Sequence, residues 1–142
     1  MRILGLDYGS KTVGVAVSDM LGMTAQRLEI IRRPKENHLR RTFRRIEELA
    51  EEYRIESVVL GYPLNMDDTA GDRAQKTMEF GHELEKRLGV PVILVDERLT
   101  TVEACEIMDD CGIPRKDHKE YVDMIAAEII LQDYLNMRGT CS

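Results

Sequence analysis

The chain has 142 residues, 43% of them hydrophobic and 32% charged, with a formal net charge of −6 at pH 7. That length suits one domain with a buried core, and that composition is ordinary for a soluble globular protein. A membrane span is excluded, because the most apolar stretch, Tyr121–Leu135, is short and carries Asp123, Glu128, Gln132 and Asp133.

Arg2–Leu6 is a run too short for a helix and fits a buried central strand. Asp7 ends it, so no secretory signal pattern forms and a cytoplasmic location is expected. Tyr8-Gly9-Ser10-Lys11 reads as a turn. Thr12–Ser18 then alternates, with Val13, Val15 and Val17 on one side and Thr12, Gly14, Ala16 and Ser18 on the other. That predicts a strand with one packed face and one face of small residues. The short connection makes these two strands antiparallel. A third strand is predicted over Gln26–Arg32.

Arg27, Arg32, Arg33, Lys35, Arg40, Arg41, Arg44 and Arg45 crowd one segment, against Glu29 and Glu36 only. Two readings stay open: a solvated face, or a basic footprint for nucleic acid that the overall acidic charge otherwise argues against. Asn37–Tyr53 is an amphipathic helix, with Leu39, Phe43, Ile46, Leu49 and Ala50 at helical spacing. Ser57–Leu60 is a buried strand, stopped by Gly61-Tyr62-Pro63. Thr69 can cap a helix that runs to Leu88, where Gly89 and Pro91 end it. Val92–Val95 is another buried strand. Thr100-Thr101-Val102-Glu103 reads as a capping box opening a helix that Cys111-Gly112-Ile113-Pro114 ends. Asp117 with Glu120 opens the last helix. The pattern implies a mixed sheet with helices on both faces, in one domain over residues 1–138 with a frayed tail over 139–142. Cys105, Cys111 and Cys141 lack metal spacing and read as reduced thiols.

Three hydrophobic segments each meet an acid: Asp7, the Asp96-Glu97 pair, and Asp123. A carboxylate beside a core must be solvated, paired or metal-bound. Asp7 and Glu97 would reach one rim of the sheet if their strands were parallel neighbours. On the last helix Asp123, Ala126, Ala127, Ile130 and Tyr134 form one row, with Glu128 and Gln132 roughly opposite. Asp96 reads as the structural member of its pair, and Asp19, Asp67, Asp72 and Asp117 as turns, caps or surface charges. His38, His82 and His118 read as solvated. Carboxylates without imidazole or thiolate favour hard ions, Mg²⁺ or Mn²⁺, one or two in number.

Asp7-Tyr8-Gly9-Ser10-Lys11-Thr12-Val13-Gly14-Val15-Ala16-Val17-Ser18-Asp19 resembles the opening of the YqgF family, also called Holliday-junction-resolvase-like. Gly61-Tyr62-Pro63-Leu64-Asn65-Met66-Asp67 is similar to its second motif. Val95-Asp96-Glu97-Arg98-Leu99-Thr100-Thr101-Val102-Glu103-Ala104 is similar to its third. Val122-Asp123, Ala126-Ala127 and Ile130-Leu131-Gln132 are similar to its fourth. Asp68 and Glu120 stand where that family usually has glycine.

The resemblance implies a ribonuclease H-like α/β fold: three leading antiparallel strands, then two parallel, in one five-stranded sheet flanked by helices. It implies Asp7, Glu97 and Asp123 as catalytic, metal-binding acids. Hydrolysis of the 16S rRNA precursor near its 5′ end, in ribosome biogenesis, is the implied reaction. Lys11, Arg98 and Arg73 are candidates for phosphate contact. The implied partners are nucleic acid, rRNA precursor ahead of branched DNA, and ribosomal particles, with the chain a monomer or weak homodimer and no membrane involved. Three alternatives stay open. One is a resolvase of branched DNA. Another is a ribosome-assembly module that binds nucleic acid without cleaving it. The third is a nucleotide-binding phosphotransferase, because Asp7-Tyr8-Gly9-Ser10 also resembles the phosphate loop of actin- and hexokinase-like ATPases.

Overall fold

The computed structural model describes residues 2–9, 12–35, 38–62, 72–96, 112 and 118–141, with the side chains of 62, 72–73, 96, 118–124 and 138–141 left out. The elements run β1 (Arg2–Tyr8), β2 (Thr12–Ser18), β3 (Ala25–Arg32), α1 (Arg40–Glu52), β4 (Ile55–Tyr62), α2 (Asp72–Leu88), β5 (Val92–Asp96) and α3 (His118–Cys141). Five strands form one sheet in the order β3-β2-β1-β4-β5. The pairs β1–β2 and β2–β3 are antiparallel, and β1–β4 and β4–β5 are parallel.

Strand alternation sorts the core into two layers. Leu4, Leu6, Val13, Val15, Val58 and Leu60 point to the face covered by α1 and α2, where they pack with Phe43, Ile46, Leu49, Phe80 and Leu84. Ile3, Ala16 and Val59 point the other way, onto Ala127, Ile130, Leu131 and Leu135 of α3. Each fully buried leucine or isoleucine in these layers contributes about 1.5–3 kcal/mol relative to exposure. The face of β2 expected to carry merely small residues is therefore packed too. Small residues there serve the close approach of a helix.

Gly5 shows how close that approach is. A Cβ at this position would lie 2.7 Å from the Leu131 Cβ and 3.1 Å from the Ala127 carbonyl oxygen. Glycine inside a buried strand marks such a contact.

α3 is buried around much of its girth, through Ile125, Ala126, Ala127, Ile129, Ile130, Leu131 and Leu135. Even its polar flank is engaged, which corrects the reading of Glu128 and Gln132 as simply opposite the packed row. Gln132 accepts a hydrogen bond from the Ala25 N–H at 2.9 Å and donates to the Met23 carbonyl at 3.1 Å. Glu128 lies 2.9 Å from the Arg27 Nε on β3, an ion pair not aligned as a hydrogen bond.

Burial raises the Glu128 carboxyl above its ordinary value of 4.5, against the opposing pull of Arg27, and burial also raises Asp133. A raised carboxyl means the native state binds the proton more readily than the unfolded chain. Its stabilising contribution is present at acid pH and lost as pH rises through the raised value. Glu128→Gln should therefore compare better with wild type at pH 7 than at pH 4, by urea midpoint. A difference that stays flat or reverses would contradict this.

The β2–β3 turn explains Asp19 as a turn-former. Its carboxylate accepts from the Met23 N–H at 2.8 Å and from the Thr24 hydroxyl at 3.1 Å. Those bonds, the Met23 one first, hold its carboxyl below the ordinary range. Several boundaries differ from the sequence reading. β1 continues through Asp7 to Tyr8, and β4 extends at both ends. α1 begins at Arg40, and α3 runs on to Cys141. The cap at Thr69, the capping box Thr100–Glu103, the helix end at Cys111–Pro114 and the cap at Asp117 lie outside the described residues. Among the described residues, no helix is long and apolar enough to cross a membrane.

Candidate active site

Asp7 is the penultimate residue of β1, at the carboxyl end of the strand. It follows Ile3 and Gly5 in the alternation, so it belongs to the sheet face that α3 covers. It is partly exposed. Its antiparallel partner on β2 is Gly14. On the other side, one residue past the Leu6–Leu60 pair, stands Gly61. The carboxylate thus rises from the rim between two strands that carry no side chain beside it.

β1, β4 and β5 run parallel, so all three end at this rim, and Tyr62 pairs with Asp96 there. One expectation needs correction. The strands leading to Asp7 and Glu97 are parallel but not neighbours, because β4 lies between them. Their backbones are therefore about 10 Å apart, two strand spacings, rather than one. The order follows from β4, which enters the sheet beside β1 before α2 carries the chain on to β5.

Residue 123 lies in the second turn of α3. Gly5 meets Leu131 and Ala127. The same one-turn step beyond Ala127 is residue 123, and it leads along the helix toward the Asp7 end of β1. The row through Ala126, Ala127, Ile130 and Tyr134 is packed as read, with Tyr134 partly buried against the α3 layer. Arg73 falls in the first turn of α2, the helix that follows β4. Lys11, Glu97 and Arg98 lie outside the described residues, as does the side chain of Asp123. Among the described residues, no group of three histidine, cysteine, aspartate or glutamate side chains forms a metal cluster.

The sequence reading missed what holds the backbone after Asp7. Arg33, counted there among the cations, is 6% exposed. Its Nη2 donates to the Gly9 carbonyl at 2.6 Å, and its guanidinium sits 4.9 Å from the centre of the Tyr8 ring. Tyr8 stacks on Phe80 at 4.2 Å, and Phe80 on Phe43 at 5.1 Å. The Gly9 N–H closes the turn onto the Thr12 carbonyl at 2.7 Å. An aromatic column and one arginine thus fix the strand end that presents Asp7. Arg33→Ala removes a charge-assisted hydrogen bond and a cation–π contact. A loss of about 1–3 kcal/mol in urea unfolding is expected. A loss under about 0.5 kcal/mol would place that turn's stability elsewhere.

The comparisons with known proteins agree with this architecture. The model of the RuvX family, described as Holliday junction resolvase, matches residues 1–137. A Lachnospira eligens protein named "Putative pre-16S rRNA nuclease" is 54% identical over 138 residues, covering 97% of this chain and 99% of its own. A protein of the same name from Agathobacter rectalis is 58% identical over 136 residues, covering 96% and 95%. The structure of Thermus thermophilus RuvC in complex with a Holliday junction substrate aligns with a TM-score of 0.63 at 18% identity, over 100% of this chain and 98% of that one. At that identity the likeness shows the fold, a five-stranded mixed sheet between helices.

Proposed function

The chain belongs to the RuvX Holliday junction resolvase family, and from that membership and the rim geometry we propose a metal-dependent nuclease that hydrolyses phosphodiester bonds. The observation that carries the reading is Asp7 itself: a carboxylate on a strand rim, flanked by Gly14 and Gly61, on the face where Gly5 draws α3 close. Glu97, which follows Asp96 in the chain, and Asp123 on α3 complete the proposed set of acids.

The donor chemistry fits a hard divalent ion. All three groups are carboxylates, with no imidazole or thiolate among them. Mg²⁺ or Mn²⁺ bound there supplies charge stabilisation and a lowered pKa for water. Asp7, Glu97 and Asp123 would hold the ion. Lys11, Arg98 and Arg73 orient the phosphate through charge-assisted hydrogen bonds. A water oxygen attacks phosphorus and gives up a proton, the P–O bond to the leaving group breaks, and the leaving oxygen takes up a proton in its turn, so that the products are a phosphomonoester and a hydroxyl end. The aromatic column under Tyr8 keeps Asp7 in place through turnover.

The names carried by the relatives point to the 16S rRNA precursor as substrate. The family's description points to branched DNA instead. A cleavage panel of precursor RNA, linear DNA of the same sequence and a four-way DNA junction, with and without Mn²⁺, separates the two. Metal-dependent cleavage of the RNA in preference to both DNAs is the expected outcome. Preference for the junction would reassign the substrate, and no cleavage of any of them would end the nuclease reading.

A further inference from the structure

Apart from the buried Arg33, the cations between Arg27 and Arg45 divide into two sets. Arg27 pairs with Glu128, Arg45 with Glu29 and Glu48, and Arg44 with Glu48. Arg32, Lys35, Arg40 and Arg41 are exposed, and among the described residues no carboxylate pairs with them. Arg32, Arg40 and Arg41 line a groove of about 570 Å³ where β3 meets α1, together with Arg33 and His38. Among the described residues, no acidic side chain lines it. The cavity between α1 and α2, by contrast, sets Glu79 and Glu83 beside Lys76.

Three arginines side by side repel one another. Two of them, Arg40 and Arg41, also sit in the first turn of α1. Leu39 gives that turn no side-chain cap, and no acidic residue in it offsets the positive end of the helix dipole. A bound anion would relieve both strains at once.

The groove's location says which anion. Arg32 pairs with Thr12, and Asp7 with Gly14, so the end of β3 lies at the same rim as Asp7. Their strands are separated by β2 alone. Arg32 is therefore about 10 Å of backbone from β1, on the side away from β5. Arg40 and Arg41 stand on the sheet face that α1 covers, opposite the α3 face to which Asp7 belongs, so a strand that reaches both must pass over the rim beyond the ends of β2 and β3.

We propose that this groove is a second phosphate subsite, which grips the sugar–phosphate backbone of the nucleic acid outside the reacting phosphate. It rests on the nuclease reading above and adds to it a direction: the substrate strand crosses the rim from β5 toward β3. Phosphate is common to RNA and DNA, so the grip is indifferent to the sugar.

The test is binding of a labelled single-stranded RNA, and of the DNA of the same sequence, in EDTA over a range of salt. The groove variant is Arg40→Ala with Arg41→Ala. Both residues are exposed, and alanine favours the helix, so the fold is kept. The control is Arg54→Ala with Lys86→Ala, an equal change of net charge at exposed positions outside the groove's lining. The groove variant should bind both nucleic acids about tenfold more weakly at low salt. Its slope of log affinity against log salt should fall by about 1.4, at about 0.7 for each phosphate of a single strand that an arginine no longer neutralises. The control should move far less.

Equal affinities and slopes for the two variants would overturn the subsite. So would a loss confined to one of the two sugars. Cleavage measured in parallel keeps the two readings apart. If wild type cleaves and the groove variant binds like the control, the subsite falls and the nuclease stands. If wild type neither binds nor cleaves, both fall.

Discussion

Asp7→Asn should lower phosphodiester cleavage by at least about 10³-fold, roughly 4 kcal/mol of transition-state stabilisation, while leaving the protein folded. The side chain keeps its size and one carbonyl oxygen, so β1 and its pairing with Gly14 and Leu60's strand are undisturbed. What disappears is the charge, and with it the proposed hold on a divalent ion. The same substitution should not lower the metal-free melting temperature and should raise it, because close carboxylates repel when no cation separates them. Wild type should then gain more from Mg²⁺ than the variant does. Cleavage that survives in a folded Asp7→Asn protein would remove Asp7 from the chemistry. Equal Mg²⁺ stabilisation of both proteins would remove it from the metal site.

Gly5→Val should damage the enzyme from a position that faces away from solvent. Even a single added carbon would meet the Leu131 Cβ at 2.7 Å and the Ala127 carbonyl at 3.1 Å, and neither is the free end of a flexible chain. α3 must back off, which costs about 1–3 kcal/mol as overpacking usually does. Each kcal/mol lowers the melting temperature by about 2–4 °C or slightly more at this chain length. Cleavage should fall further than the lost stability explains, because α3 carries Asp123. Cleavage assayed well below the melting temperature, where the variant is fully folded, separates the two effects. Full activity there would mean that the depth of α3 does not set the site.

The elements legible in the sequence are those whose signal is local. Thr12–Ser18 has the same bounds in sequence and structure, because Val13, Val15 and Val17 alternate without interruption. Asp19, read from the sequence only as a turn, a cap or a surface charge, shapes the β2–β3 turn by accepting from the Met23 N–H. The strand ends are less legible. The hydrophobic run of β1 stops at Leu6 because a carboxylate looks like the start of a loop, yet Asp7 and Tyr8 remain in the ladder with Gly14 and Val13.

What the sequence hides depends on pairing between distant segments. Nothing local states that β4 comes between β1 and β5, so the spacing of those strand ends along the rim is not readable from the chain. Arg33 looks like one more solvated cation, since its bond to Gly9 spans 24 residues of chain. Gly5 does carry a usable signal, a glycine inside a buried strand, but its partner on α3 is more than a hundred residues away.

The most direct measurement is calorimetry of Mn²⁺ binding to wild type and to three single variants, Asp7→Asn, Glu97→Gln and Asp123→Asn. The three acids come from separate segments, and the proposed site exists where they act together on one ion. Wild type should show saturable binding, and each substitution alone should abolish the same event. A variant among the three that binds Mn²⁺ with wild-type affinity would contradict a shared site at the rim.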